Sequence, residues 1–272
     1  MSPAPPAVNV VLSGDATPTV LDLLALEELD RDLYRATTVL DEPFPLYGGQ
    51  VAAQALMAAG RTVPEDRVPH SLHGYYLRGG DAGRPTILRV DRDRDGRSFS
   101  ARRVVAVQGG EVLFNMSASF QAPAPGPDRQ AEPAPRTTPP EDLDETEMPR
   151  LLSMESRATP QPYAGVAWPT RFWSRCVADL PDDDLVHACV LTYLSDISSG
   201  LVAMHEGTAR SGASLDHAVW FHRRARLDAW VLMDLVPHTV AAGRGWYTGT
   251  VHDRDGALVA SLTQEALFRS PR

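Results

Sequence analysis

This chain carries one pattern twice. SLHGYYLR at residues 71–78 is matched by SLDHAVWFHR from residue 214, and the alternating stretch before Gly109-Gly110 is matched by the one before Asp255-Gly256. The closing segments, EVLFNMSASFQ and ALVASLTQEALF, agree in length and alternation, and the offset stays between 143 and 146 residues. Solenoid modules repeat every ~20–50 residues, so this longer repeat is a duplicated structural unit.

Each copy holds an apolar helix and an antiparallel meander. In the first copy, VAAQALMAAGRTV follows Tyr47-Gly48-Gly49-Gln50 and puts Val51, Ala55, Leu56 and Ala59 on one helical face. Its many alanines suit close packing on something flat. Alternation in SLHGYYLR, TILRVDRD, SFSARRVVAVQ and EVLFNMSASFQ predicts four strands, with a hairpin turn at Gly109-Gly110. In the second copy, Asp182, Asp183 and Asp184 start a helix that continues through LVHACVLTYLSDISSGLV, because acidic groups favour the N-terminal end of the dipole. Strands are predicted in RFWSRCVADL, ASLDHAVWFHR, WVLMDLVPHTV, GRGWYTGTVHD and ALVASLTQEALFR.

Ahead of these copies, the spacing of Leu21, Leu24, Leu26, Leu29 and Leu33 predicts a further helix. Between them, residues 122–170 hold eleven prolines and the acidic run EDLDETEMP. They read as a linker draped over the surface and partly disordered, with room for a short helix at MPRLLSMES. The expected organisation is a loose tail over 1–20, a first unit over 21–121, the linker over 122–170 and a second unit over 171–272. The fold class is α+β: two tandem units, each helix wrapped by its own sheet and the two sheets paired side by side.

The net charge of −9 argues against a broad basic face for nucleic acid. No run approaches the ~20 unbroken apolar residues of a membrane span, and the N-terminus lacks the features of a signal peptide. Cys176 and Cys189 make neither a disulfide framework nor a four-ligand zinc site, so a reduced, cytoplasmic protein is expected. The sequence contains no lysine, which excludes Schiff-base chemistry and leaves arginine, histidine and backbone amides to hold any anion. His217 and His222 are five apart on a strand and face opposite ways, so no metal site is expected.

Three polar residues of the second copy stand out. Asp196 lies near the end of an apolar helix, at the wrong end of its dipole. Facing solvent it is unremarkable; facing the sheet it is costly unless it is paired or has a chemical task. Ser214 opens a strand, where a capping or edge hydroxyl is the plain alternative. Gln264 shares its strand face with apolar Leu262 and Ala266, whereas the matching position of the first copy is Ala118. Together an acid, a hydroxyl and an amide can hold one water without a metal or other cofactor.

YGGQVAAQAL, PHSLHGYYLRGGD with DGRSFSARRVVAVQGGEVLFNMSASFQAP, and ASLDHAVWFHR with DGALVASLTQEAL resemble, in type and order, the acyl-CoA thioesterase II family. The resemblance runs from about Leu46 to Arg269, outside the linker. It departs at Tyr47, where Phe is usual, and in the short connection between Asp196 and Ser214. It implies a double hotdog fold and hydrolysis of fatty acyl-CoA to free acid and CoA. Carried over motif by motif, Asp196 in YLSD, Ser214 in ASLDH and Gln264 in LTQE are the implied water-positioning set. Asp196 acts as general base or by direct attack. The amide of Gly49 or Gln50, at a helix N-terminus, is the expected oxyanion donor. Arg97, Arg102 and Arg103 are basic candidates for the CoA phosphates, and a homo-oligomer is expected. Two other readings stay open: a non-catalytic acyl-CoA binding or regulatory protein, and a hotdog dehydratase using Asp216 and His217.

Overall fold

The computed structural model describes residues 9–10, 18–37, 40–41, 44–148 and 150–270. Most of the tail expected over 1–20 lies outside the described residues. Within them, a 13-stranded antiparallel sheet runs through both copies. Its first half is ordered Leu26–Asp30, Leu33–Ala36, Thr86–Asp95, Phe99–Gln108, Glu111–Gln121, Val68–Tyr76. The second half continues Asp216–Phe221, Leu258–Arg269, Arg244–His252, Val231–Ala241, Arg171–Cys176, Met154–Ala158, with Arg210–Ser214 also paired to Leu258–Arg269. The halves meet where Leu72 pairs with Val219 and Gly74 with His217. This is the double hotdog α+β fold.

Two helices lie against the sheet: Gly48–Gly60, the N-half helix, and Asp184–Ser195, the C-half helix. Residues 49–59 of the N-half helix are all buried, which its glycine- and alanine-rich sequence permits on every side. The helices touch each other head to tail: a Cβ on Gly49 would strike the carbonyl of Tyr193, and one on Gly60 would strike Leu185. Small residues here let two backbones approach where larger ones would clash. The helical stretch Asp184–Met204 has the length and hydropathy of a membrane span, but 94% of its most apolar window is buried inside the protein as core.

Three expectations are corrected. The leucine-rich segment is helical only over Val20–Leu24; Leu26–Asp30 and Leu33–Ala36 form a hairpin instead. Asp32 turns it at φ 60°, a conformation a helix cannot contain and Asp tolerates better than most residues. The described residues of MPRLLSMES form no helix. Arg150 and Ser153 take positive φ, and Met154–Ala158 becomes an edge strand on Arg171–Cys176. The linker is also tied down: the Trp173 indole donates to Thr138 O at 2.9 Å, and the Gln130 amide grips Gly256 O and Leu258 N.

The third correction concerns the second long helix, which does not run unbroken through residue 202. It ends at Ser195, Asp196 sits at its C-cap, and the chain resumes as a 3₁₀ turn over Ser198–Met204. Thr192 donates its hydroxyl back to Ala188 O at 2.8 Å, and Ser195 Oγ stands 3.0 Å from Thr192 O. Such back-bonding competes with the helical ladder. Had the helix continued, Asp196 would carry helical geometry; the break aims its carboxylate at the start of the other helix.

Candidate active site

Asp196 is 2% exposed and Gln264 fully buried. Ser214 Oγ donates to Asp196 Oδ1 at 2.9 Å, and Gln264 Nε2 donates to Ser214 Oγ at 2.7 Å. The Gln264 amide and the Gly49 backbone N–H also hydrogen-bond the Asp196 carboxyl. Four elements converge here: the C-half helix end gives Asp196, Arg210–Ser214 gives the hydroxyl, Leu258–Arg269 the amide, and the N-half helix its first turn. The fold thus brings together Asp196, Ser214, Gln264 and Gly49. The fifth expected residue, Gln50, has its N–H on Tyr47 O at 3.1 Å.

The N-half helix opens on glycines for a steric reason. A Cβ on Gly48 would strike Asp196 Oδ2 and lie 3.0 Å from the Tyr76 ring. Its N-cap, Tyr47, offers no side-chain cap to the free amides. The Gly49 amide turns to Asp196 instead, and the positive end of the dipole meets the carboxylate.

Burial pushes the Asp196 carboxyl up to about 7, against the opposing pull of Ser214, Gln264, the Gly49 amide and the Arg150 charge. A carboxyl with this value is half ionised near neutrality, which suits a general base. Tyr47, Tyr76 and Tyr247 line the same volume, and their phenols are raised well above the ordinary value, first by burial and then by the Asp196 charge. They stay neutral and help to bury the carboxyl. Arg150, from the linker, sits 5.5 Å over the Tyr47 ring and accepts the Tyr193 hydroxyl on its carbonyl at 2.7 Å.

Sequence reasoning missed Gly48, Tyr76, Tyr247 and Arg150. The glycine pair at a helix start was a usable signal for Gly48. The tyrosines and Arg150 come from strands and a linker distant in sequence. Among the candidate phosphate ligands, Arg102 is corrected: it is 1% exposed, with its guanidinium spent on Thr62, Arg94, Ala101 and Asp95. Asp216 and His217 do not converge as a dehydratase pair would. Asp216 Oδ1 accepts the Glu265 N–H at 2.8 Å, while buried His217 turns inward to Ser195.

Residues 41–121 match the family described as acyl-CoA thioesterase N-terminal domain, and residues 124–268 the one described as acyl-CoA thioesterase C-terminal domain. The acyl-CoA thioesterase 2 of Haemophilus influenzae is 34% identical, over 94% of this chain and 99% of its own length. The acyl-coenzyme A thioesterase 8 of Mus musculus is 35% identical, over 95% of this chain and 91% of its own. The crystal structure of an acyl-CoA thioesterase II from Mycobacterium marinum superposes with a TM-score of 0.79 at 39% identity, covering 93% of this chain and 97% of that one.

Proposed function

This chain belongs to the acyl-CoA thioesterase family, and on that premise we propose that Asp196, Ser214 and Gln264 hold and activate the water that hydrolyses a fatty acyl-CoA. The observation that carries this reading is the buried carboxyl of Asp196, raised to about 7 and wired to Ser214 and Gln264.

In the mechanism, Gln264 donates to Ser214, and Ser214 spends its one proton on Asp196 Oδ1. That leaves Asp196 Oδ2 as the acceptor for water. Asp196 takes a proton as the water oxygen attacks the thioester carbonyl, and the carbonyl oxygen gains the negative charge. The Gly49 amide, beside Asp196 at the helix N-terminus, stabilises that charge. The Asp196 carboxyl holds that N–H in the resting site and releases it to the oxyanion as Asp196 takes the proton, whereas the Gln50 N–H is spent on Tyr47. The tetrahedral intermediate then expels the CoA sulfur. The proton on Asp196 passes to the thiolate, leaving the free acid and CoA.

The test is release of free thiol from acyl-CoAs of graded chain length, with wild type beside D196N. Turnover with wild type that collapses in D196N supports the reading. Saturable binding of acyl-CoA by a folded wild type without turnover at any chain length points to a binding protein. Single turnover in ¹⁸O water separates the two chemistries: label found in the Asp196 carboxyl overturns water activation in favour of direct attack.

A further inference from the structure

His217 is 1% exposed and lies in the join between the two halves, paired with Gly74. Its Nε2 is 2.8 Å from Ser195 Oγ, on the residue before Asp196. Its other nitrogen, Nδ1, is buried and has no hydrogen-bond partner among the described residues, and the same holds for the Gln264 carbonyl oxygen, Oε1. The sheet register explains why these matter to each other. Ala218 pairs with Thr263, so one antiparallel step brings His217 beside Gln264. Cross-strand neighbours of this kind share a face with Cβ atoms ~5 Å apart. The two groups interact: the Gln264 amide raises the imidazole's pKa, though burial outweighs it and holds it down to about 4. The ring is therefore neutral at working pH and carries one N–H.

The position of that proton follows from the network. Ser195 has one hydroxyl proton and two acceptors in reach, Thr192 O at 3.0 Å and His217 Nε2 at 2.8 Å. If Ser195 donates to Nε2, Nδ1 carries the ring proton, the neighbouring Gln264 side chain offers Oε1 as its acceptor, and both stranded atoms are matched. With the other tautomer, two lone pairs face each other in a dry interior, which costs free energy.

We infer that His217 is a positioning residue for hydrolysis: its Nδ1–H takes the carbonyl end of the Gln264 amide and so turns the amide's donor end to Ser214 and Asp196. An amide is nearly symmetric in shape and can flip. Flipped, it would show Ser214 an oxygen and withdraw a donor from Asp196. The hydroxyl would then be free to leave Asp196, and the water would lose its seat. His217 thus acts through Gln264, and the chain Ser195–His217–Gln264–Ser214–Asp196 reaches the carboxyl by a second route besides the backbone.

This inference rests on the reading of Asp196, Ser214 and Gln264 given above, and its test separates the two. The variants are H217L, H217N, H217Q, Q264A and the double variant H217L/Q264A, assayed for kcat and KM on one acyl-CoA beside D196N. H217L should lose roughly 10- to 100-fold in kcat, as loss of a supporting hydrogen bond behind a reacting group does, with KM within about threefold. H217L in the Q264A background should lose no more than about twofold further, since both changes remove one function. H217N, whose amide nitrogen can stand where Nδ1 stood, should recover several-fold of the H217L loss, and H217Q, which reaches toward Ser195 instead, should not. D196N with full activity overturns the reading of the site and this inference together. An inactive D196N with full kcat in H217L overturns this inference alone, as do losses in H217L and Q264A that multiply. If H217L does not fold, the pair H217N and H217Q decides: kcat in H217Q equal to or above that in H217N overturns the inference.

Discussion

At the end of the C-half helix stands Asp196, with Gln264 and Tyr247 paired across the sheet beside it. At the end of the N-half helix stand Arg61 and Thr62, with Ala118 and Arg102 paired across the sheet in the matching place. The backbone offers the same corner twice. In one copy it holds a buried acid and an amide that gives and takes hydrogen bonds. In the other a methyl replaces the amide, and the Arg102 guanidinium fills the space with five hydrogen bonds, to Thr62 Oγ1 and O, Arg94 O, Ala101 O and Asp95 Oδ1. The join shows the same contrast. His217 faces a glycine, Gly74, whose Cβ position is taken by the Phe114 ring. A buried carboxyl is costly, and the duplicated fold carries that cost in one copy while the other is packed shut.

D196N should have the largest effect on this contrast, since it turns the working corner into a second silent one. The rate should fall by ~10²–10⁴-fold, the scale of a lost general base. Stability should move the other way. The folded carboxyl ionises at about 7 and the unfolded one near 3.8, so the fold disfavours the charged form. The fold carries no such penalty below the unfolded value; the penalty grows as pH rises from there to about 7 and is full above it. Asn escapes it, by up to about 4 kcal/mol. Denaturant unfolding at pH 8 and pH 5 checks this: D196N should gain on wild type, and gain more at pH 8. The wild-type kcat/KM should rise with pH through about 7 and level off, because the base must be ionised. A flat profile between pH 5 and 8 would remove Asp196 from that role.

S214A and Q264A make the working corner resemble the other one residue at a time. Each should cost about 10²-fold in kcat, the size of a lost oriented donor. On the proposed mechanism both groups hold one water, so the double variant should fall well short of the 10⁴-fold product. Full multiplication would mean that Ser214 and Gln264 act on different steps.

Much of this contrast was legible beforehand. The offset of the two copies put Ala118 opposite Gln264, and alternation with Gly109-Gly110 and Asp255-Gly256 located the strands around both. Arg102 was not legible as a core residue: it shares strand parity with buried Val104 and Ala106, but its charge made it a candidate for the CoA phosphates. What pattern could not give were the endings and the pairings. Leu26, Leu29 and Leu33 keep helical spacing, and only the turn at Asp32 makes them strands. The end of the helix at Ser195 goes with the Thr192 hydroxyl back-bond, which spacing does not show. His217 meets Gln264 through register between strands far apart in the chain, and the same holds for Tyr247.

R102M tests the closed corner. Methionine restores most of the volume but strands Thr62 O and removes the partner of Asp95. The loss of a buried, paired cation should cost about 3 kcal/mol, read as a lower midpoint in denaturant. The folded fraction should keep wild-type kcat, since the corner is on the other half from Asp196. A loss of kcat without loss of stability would mean that the two corners communicate.

The smallest effect is expected at the other ends of the two helices, where the copies also differ. Asp183 caps the C-half helix, its Oδ1 accepting from Leu185 N at 2.8 Å and Val186 N at 3.3 Å, and Asp184 adds a second negative charge to the first turn. The N-half helix starts at Tyr47, with no side-chain cap and no acidic residue in its first turn. One N-terminus is saturated by its own sequence; the other keeps the Gly49 amide for the Asp196 carboxyl and for charge that develops beside it. The cap is a stability device in one copy, and on the proposed mechanism its absence serves the site in the other. D183A should cost about 1 kcal/mol, the ordinary worth of an N-cap, and leave kcat and KM where they are. A change in kcat beyond about threefold would show that the capped end takes part in turnover, and the division of labour between the two halves would have to be redrawn.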